Sequence, residues 1–202
     1  LVVDTDYEWG VTTAWSEKAG VMFFSPLVEG RGMDIRYVTM SGKRAIKDYL
    51  ATKANEGAPA LSPDGRWIAY WSDATGTSDL VVDRFPTPSG ARRMQVGNAS
   101  TGGVVWARQA WWSDDGRSVV YQREGDAAIV DVRFEPSLAL GEPRTLMQLP
   151  EERHGMDYDA PRRRFVATTY NSRNRDFLVT TAPQITGPWS EPLVVWQPAE
   201  HE

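Results

Sequence analysis

Three carboxylates alternate along Asp4-Thr5-Asp6-Tyr7-Glu8. On an extended strand, alternate residues share one face. Carboxylates gathered that way suit a hard cation such as Ca²⁺, or general acid–base work. The stretch lacks the glycine placement and length of an EF-hand loop, and a solvated loop has the same composition. Ca²⁺ is thus the one cation to weigh, at Asp4, Asp6 and Glu8; no other cofactor or metal is expected. A second charged stretch, Glu151-Glu152-Arg153-His154, holds one of the two histidines. A Ser-His-acid triad would have to use His154, but no Gly-x-Ser-x-Gly elbow accompanies it. Arg153 and His154 are therefore ligand-binding candidates on a surface loop. Among nine tryptophans, Trp9, Trp106 and Trp189 fall in or beside loops. There an indole face can stack on a sugar or an aromatic ligand. Trp15, Trp67, Trp71, Trp111, Trp112 and Trp196 fall in strand-like runs, where packing between sheets is the ordinary role. Arg162-Arg163-Arg164 reads as a solvated turn. Asn98-Ala99-Ser100 fits a glycosylation sequon, which matters only in a eukaryotic secretory protein.

Composition bounds the chemistry. The 202 residues are 41% hydrophobic and 11% aromatic, as in a globular chain with a sizeable core. A net charge of −5, from 22 basic and 27 acidic residues, argues against a nucleic-acid partner. No apolar run approaches the roughly 18 to 20 residues that span a bilayer. The chain has no cysteine, which removes disulfides, thiolate metal sites and a cysteine nucleophile. No P-loop or Gly-x-Gly-x-x-Gly is present, so nucleotide chemistry has no support. The first residue is leucine and no signal peptide is visible, as in a processed or truncated product.

The elements that must position these residues are written in a repeat of about 46 to 51 residues. Its clearest copies are Leu61-Ser62-Pro63-Asp64-Gly65-Arg66-Trp67-Ile68-Ala69-Tyr70 and Trp112-Ser113-Asp114-Asp115-Gly116-Arg117-Ser118-Val119-Val120-Tyr121. Degraded copies start at Trp15 and Tyr158. Each unit offers four strand-like runs rich in Val, Ile, Phe, Tyr and Trp, several alternating with polar residues. Ser62-Pro63-Asp64-Gly65 has the chemistry of a tight turn between first and second strands. Long apolar stripes at helical spacing are missing. The expectation is an all-β β-propeller of about four four-stranded antiparallel blades, over 11–57, 58–106, 107–153 and a divergent 154–202. Residues 1–10, with the orphan run Leu1-Val2-Val3, then read as the last strand of a preceding blade and the loop leaving it. Four blades are the low end for a ring, so another chain or further blades are expected to complete it.

The run Ser62-Pro63-Asp64-Gly65-Arg66-Trp67-Ile68-Ala69-Tyr70, followed by Ser78-Asp79-Leu80-Val81-Val82, resembles the TolB-type propeller repeat, related to WD-like blades. Trp112-Ser113-Asp114-Asp115-Gly116 fits the same pattern with Asp in place of Pro. The likeness is good over 58–150 and poor in the outer units. It implies a propeller scaffold of the kind found in periplasmic binding proteins, receptor-like extensions of bacterial kinases and the propeller domains of prolyl peptidases. The tail, Phe177-Leu178-Val179-Thr180-Thr181-Ala182 and then Thr186-Gly187-Pro188-Trp189-Ser190-Glu191-Pro192, is similar to a blade of the five-bladed arabinanase and xylosidase type. That likeness implies an acidic triad in a central cavity, for which Asp6, Glu56 and Glu151 are the candidates.

The leading expectation is a non-catalytic binding module of a bacterial envelope or extracellular protein, periplasmic or secreted, with a protein or carbohydrate ligand. Its recognition face would be the loops between second and third strands together with those entering each blade, because blade stacking fixes the scaffold while these loops vary freely. Glu8, Trp9, Trp106, Arg153 and His154 would bind ligand there. A propeller glycoside hydrolase using Asp6, Glu56 and Glu151 is the alternative, with carboxylates about 5 to 10 Å apart. The propeller domain of a prolyl-peptidase-like enzyme is a further one.

Overall fold

The structure is a computed structural model that describes residues 10–42, 45–89, 92–95, 109–123, 126–148, 154–159, 164–171, 176–183, 188 and 193–196. Among them there is no helix; everything regular is antiparallel sheet. Blade 1 runs β1 (Gly10–Ser16), β2 (Val21–Val28), β4 (Ile35–Thr39) and β5 (Ile46–Leu50), with the short β3 (Gly32–Met33) paired to β2. Blade 2 is β6 (Glu56–Leu61), β7 (Trp67–Ser72), β8 (Asp79–Arg84) and β9 (Arg92–Gln95). Blade 3 is β10 (Ala110–Trp112), β11 (Ser118–Arg123), β12 (Asp126–Arg133) and β14 (Arg144–Gln148); the short β13 (Ala139–Leu140) also pairs with β12. Blade 4 is β15 (His154–Asp159), β16 (Arg164–Asn171), β17 (Asp176–Ala182) and β18 (Leu193–Trp196). The orphan run Leu1-Val2-Val3 lies outside the described residues.

The repeat is visible as register. At or next to their last residues the first strands pair as Trp15↔Met22, Leu61↔Ile68, Trp112↔Val119 and Tyr158↔Phe165. Local chemistry sets the two sharp turns. Ser62 Oγ donates to Asp64 Oδ1 at 2.6 Å, the Arg66 N–H donates to the same oxygen at 3.0 Å, and the Trp67 N–H donates to Ser62 Oγ at 3.0 Å. Ser113, Asp115, Arg117 and Ser118 repeat that network at 2.7, 3.0 and 3.0 Å. Gly65 (φ 75°) and Gly116 (φ 67°) leave each turn in the left-handed region. The serine and the aspartate two positions after it carry both networks, which is why Asp114 can stand where the other copy has Pro63.

Alternation decides the core. On β7, Trp67, Ala69 and Trp71 join the cluster shared with blade 3, while Ile68 and Tyr70 join the one shared with blade 1. All six β7 residues are buried because both faces of blade 2 are covered. Later blades also reach back beyond their third strands. Phe85 packs on Phe23, Tyr37 and Tyr49 of blade 1 at 5.2, 5.1 and 6.0 Å between ring centroids. Phe134 of blade 3 stacks on Trp67 of blade 2 at 4.6 Å. Polar ties reinforce the stack: Trp112 Nε1 donates to Ala60 O at 3.0 Å, Tyr49 Oη to Arg84 O at 2.8 Å, and Arg92 Nε to Leu138 O at 2.8 Å.

Candidate recognition face

Antiparallel blades have two kinds of end. The turns joining first to second and third to fourth strands lie at one; the turns joining second to third strands, and the segments entering each blade, lie at the other. The second end is the one expected to recognise a ligand, and on blades 1 and 2 it is built from side chains that grip one another.

In blade 1 the chain turns at Glu29-Gly30 and returns through Leu27↔Met33 and Val28↔Gly32. This short hairpin has no hydrophobic signature in the sequence, and neither has β13. Asp34, fully buried, closes its base. Its carboxylate accepts from Arg31 and, at 3.4 Å, from Arg36, whose Nε lies 2.6 Å from Asp48 Oδ1. Paired guanidinium groups are what allow a charge to be buried there.

Asn55, in the segment entering blade 2, joins the hairpin to the next turn. Its backbone N–H and its Nδ2 donate to Asp73 Oδ1 and Oδ2, both at 2.7 Å, while its Oδ1 accepts from the Met33 N–H at 3.2 Å. Only one orientation of the amide satisfies a carboxylate and an N–H together. At Gly32 (φ 115°) a Cβ would sit 2.9 Å from Asn55 Oδ1 and 3.2 Å from Ala54 O, so the close approach requires glycine. In the blade 2 turn, Thr75 and Thr77 donate to the buried Asp79 at 2.7 and 2.9 Å. Leu27, more than half exposed, stands on the hairpin beside exposed Glu29, and Ala74 to Gly76 are exposed on the neighbouring turn.

Of the residues singled out by sequence, Glu56 is not in a loop. It is the first residue of β6, 2% exposed, and accepts from Thr52 Oγ1 at 2.5 Å. His154 opens β15, where its backbone pairs with Thr169. Asp6, Glu8, Trp9, Trp106, Glu151 and Arg153 lie outside the described residues. Asn55, Asp73 and Gly32 escaped the sequence reading. Their only signal was a polar residue before a first strand and another after a second strand, and nothing in that spacing says they meet. Among the described residues no group of three or more His, Asp or Glu is placed to hold a metal, and no helix is long and apolar enough to cross a membrane.

The opposite end holds a groove of about 590 Å³ between blades 2 and 3, walled by the two Asp-Gly turns and floored by Trp67 and Phe134. Arg84 lies over the Trp67 ring at 4.8 Å. Lys18, Arg66, Arg84 and Arg117 line it together with Asp64, Asp114, Asp115 and Glu135, so the charges on its walls balance.

Neither a known protein family nor a curated protein matches the sequence. Solved structures do. TolB from Acinetobacter baumannii superposes with a TM-score of 0.57 at 18% identity, over 88% of this chain and 41% of that one. A putative TolB from Agrobacterium tumefaciens gives 0.52 at 15%, over 88% and 61%. The β-propeller domain of Cps50 (Swd1) from Myceliophteria thermophila gives 0.52 at 10%, over 93% and 59%. The chain thus spans less than two thirds of the length of each. At these identities the likeness is one of architecture, and it agrees with the register and stacking above: the chain has the β-propeller fold.

Proposed function

We propose that this chain is a non-catalytic binding module of a bacterial envelope or extracellular protein. It takes a protein or carbohydrate ligand on the face made by the second-to-third-strand turns and the segments entering the blades. The carrying observation is the Asp73–Asn55–Met33 relay, which holds the Leu27–Met33 hairpin in place while leaving Leu27 in solvent. A rigid, presented apolar side chain loses little entropy when it binds. Three carboxylates on this face support the same reading. Asp34, Asp73 and Asp79 are each committed to scaffold donors, whereas a glycosidase needs a pair aimed at substrate.

The test places a photo-crosslinking residue at Glu29, and in a control at Lys18 on the opposite end, and exposes both to a bacterial envelope fraction and to arabinan and xylan fragments. Adducts at position 29 that vanish in Asn55→Ala, with none at position 18, support the reading. Sugar release from arabinan or xylan that depends on Glu56 would replace it with the glycoside hydrolase. Equal labelling at both ends would remove the proposed face.

A further inference from the structure

The groove at the end opposite the proposed face is walled by turns that lie side by side. A Cβ at Gly65 would stand 3.4 Å from Ala19 Cβ, and one at Gly116 would stand 3.5 Å from Pro63 Cδ. The first-to-second-strand turns of blades 1, 2 and 3 therefore form one continuous wall. About 590 Å³ lies between it and the ends of the third strands of blades 2 and 3. That volume is within the range of small-molecule sites, roughly 300 to 1,000 Å³.

The charges around the groove are of two kinds. Arg66 bridges to Asp64 at 2.7 Å, and Asp115 accepts from Ser113 Oγ and from the Arg117 N–H. Those groups are spent on the turns. Among the described residues, Lys18, Arg84 and the Arg117 guanidinium bridge to no carboxylate, and Asp114 and Glu135 bridge to no cation. Opposite charges thus line one groove without meeting. A polyanion would be repelled by one set and a polycation by the other. A molecule that carries both signs, spaced apart, satisfies both.

Arg84 is the best held of these cations. Its backbone N–H donates to Asp83 Oδ1 at 2.7 Å, and its carbonyl accepts from Tyr49 Oη at 2.8 Å. Its guanidinium lies over the Trp67 ring at 4.8 Å, and Trp67 in turn stacks on Phe134 at 4.6 Å. A guanidinium laid on an indole keeps its N–H edge for a ligand, and that fork matches a carboxylate. Glu135 follows Phe134 directly, so its backbone is tied to the same column of rings.

We propose that this groove binds a small zwitterion that joins a carboxylate to an ammonium group, as a short peptide with free ends does. Arg84 receives the carboxylate and Glu135 the ammonium. The site is separate from the face at the other end and does not depend on it.

Calorimetric titration of the chain with trialanine, whose only charges are its termini, tests this. Acetylating the amine or amidating the carboxyl should each weaken binding by about tenfold or more. Arg84→Gln and Glu135→Gln should each do the same, while Arg133→Gln, outside the groove, should not. In Arg84→Gln the free peptide and its amide should bind alike, because the partner of the carboxylate is gone. Absence of binding at millimolar trialanine would overturn the proposal. So would succinate or inorganic phosphate binding as tightly as trialanine, which would leave an anion site alone, or an amidation cost that persists in Arg84→Gln. If Arg84→Gln does not fold, Glu135→Gln decides in the same way: there the free peptide and its acetylated form should bind alike.

Discussion

Asn55→Asp keeps the shape of the side chain and the backbone N–H bond to Asp73, but exchanges the Nδ2 donor for a carboxylate oxygen. Two consequences follow from the 2.7 Å contact with Asp73 Oδ2. A hydrogen bond to a charged group is lost, worth about 1.5–3 kcal/mol. Two carboxylates are also brought together, with a repulsion of up to about 6 kcal/mol at an effective dielectric near 20. The chain need not bear all of that repulsion, because the pair can share a proton. Protonating a carboxyl of ordinary pKa near 4 at about pH 7 costs roughly 4 kcal/mol, at 1.36 kcal/mol per unit. The site is half-exposed, so solvent screens the repulsion and a total loss of about 3 kcal/mol at neutral pH is expected. The sign with pH is set by the proton. The folded variant holds it more tightly than the unfolded chain does, so its stability falls as pH rises through the carboxylate range and recovers on acidification. At about pH 4 the shared proton restores a donor, and the deficit should shrink to about 1 kcal/mol. Urea unfolding followed by tryptophan fluorescence at both pH values measures this. Hydrogen exchange over residues 28–34 should show the hairpin opening before the sheet. A deficit equal at both pH values, or below about 0.5 kcal/mol at neutral pH, would refute the relay as the support of the hairpin.

Two further outcomes test the stack and the turns. Tyr49→Phe removes the bond to Arg84 O and should cost about 1 kcal/mol at neutral pH. Burial first, then the nearby Asp83 carboxylate, push the Tyr49 hydroxyl well above its usual range. The native chain should therefore lose stability as pH rises above about 10, and the variant should lose less, which alkaline unfolding curves will show. Ser113→Ala removes the hydroxyl donor that, ahead of the Arg117 N–H, holds the Asp115 carboxyl below the usual range. That carboxyl should titrate higher by NMR, and the stability gap to the native chain should narrow as pH falls below about 4.

The turns were legible because their chemistry is local. Ser62, Asp64 and Gly65 sit within four positions, and a polymer too short to fold already carries that hydrogen-bonding pattern. The strand runs were legible for a related reason: alternation along one strand is a property of that strand. Asn55 and Asp73 belong to different strand ends, so their contact exists only once β6 and β7 are paired. Glu56 stands ahead of the apolar run that begins at Ala58, yet β6 begins with it, because a bulge where Ala58 takes a φ of 48° carries the pairing back to Glu56.

By itself the sequence determined an all-β chain of repeated four-stranded units and the position of its sharp turns, since period and turn chemistry are carried by near neighbours. It also supplied tryptophans at Trp15 and Trp112 in the same place of their repeats. Blade stacking buries Trp112 and hydrogen-bonds it to the blade before it, while Trp15 stands in solvent. Burial depends on what is stacked against a face, and a residue's own neighbours in sequence do not record that.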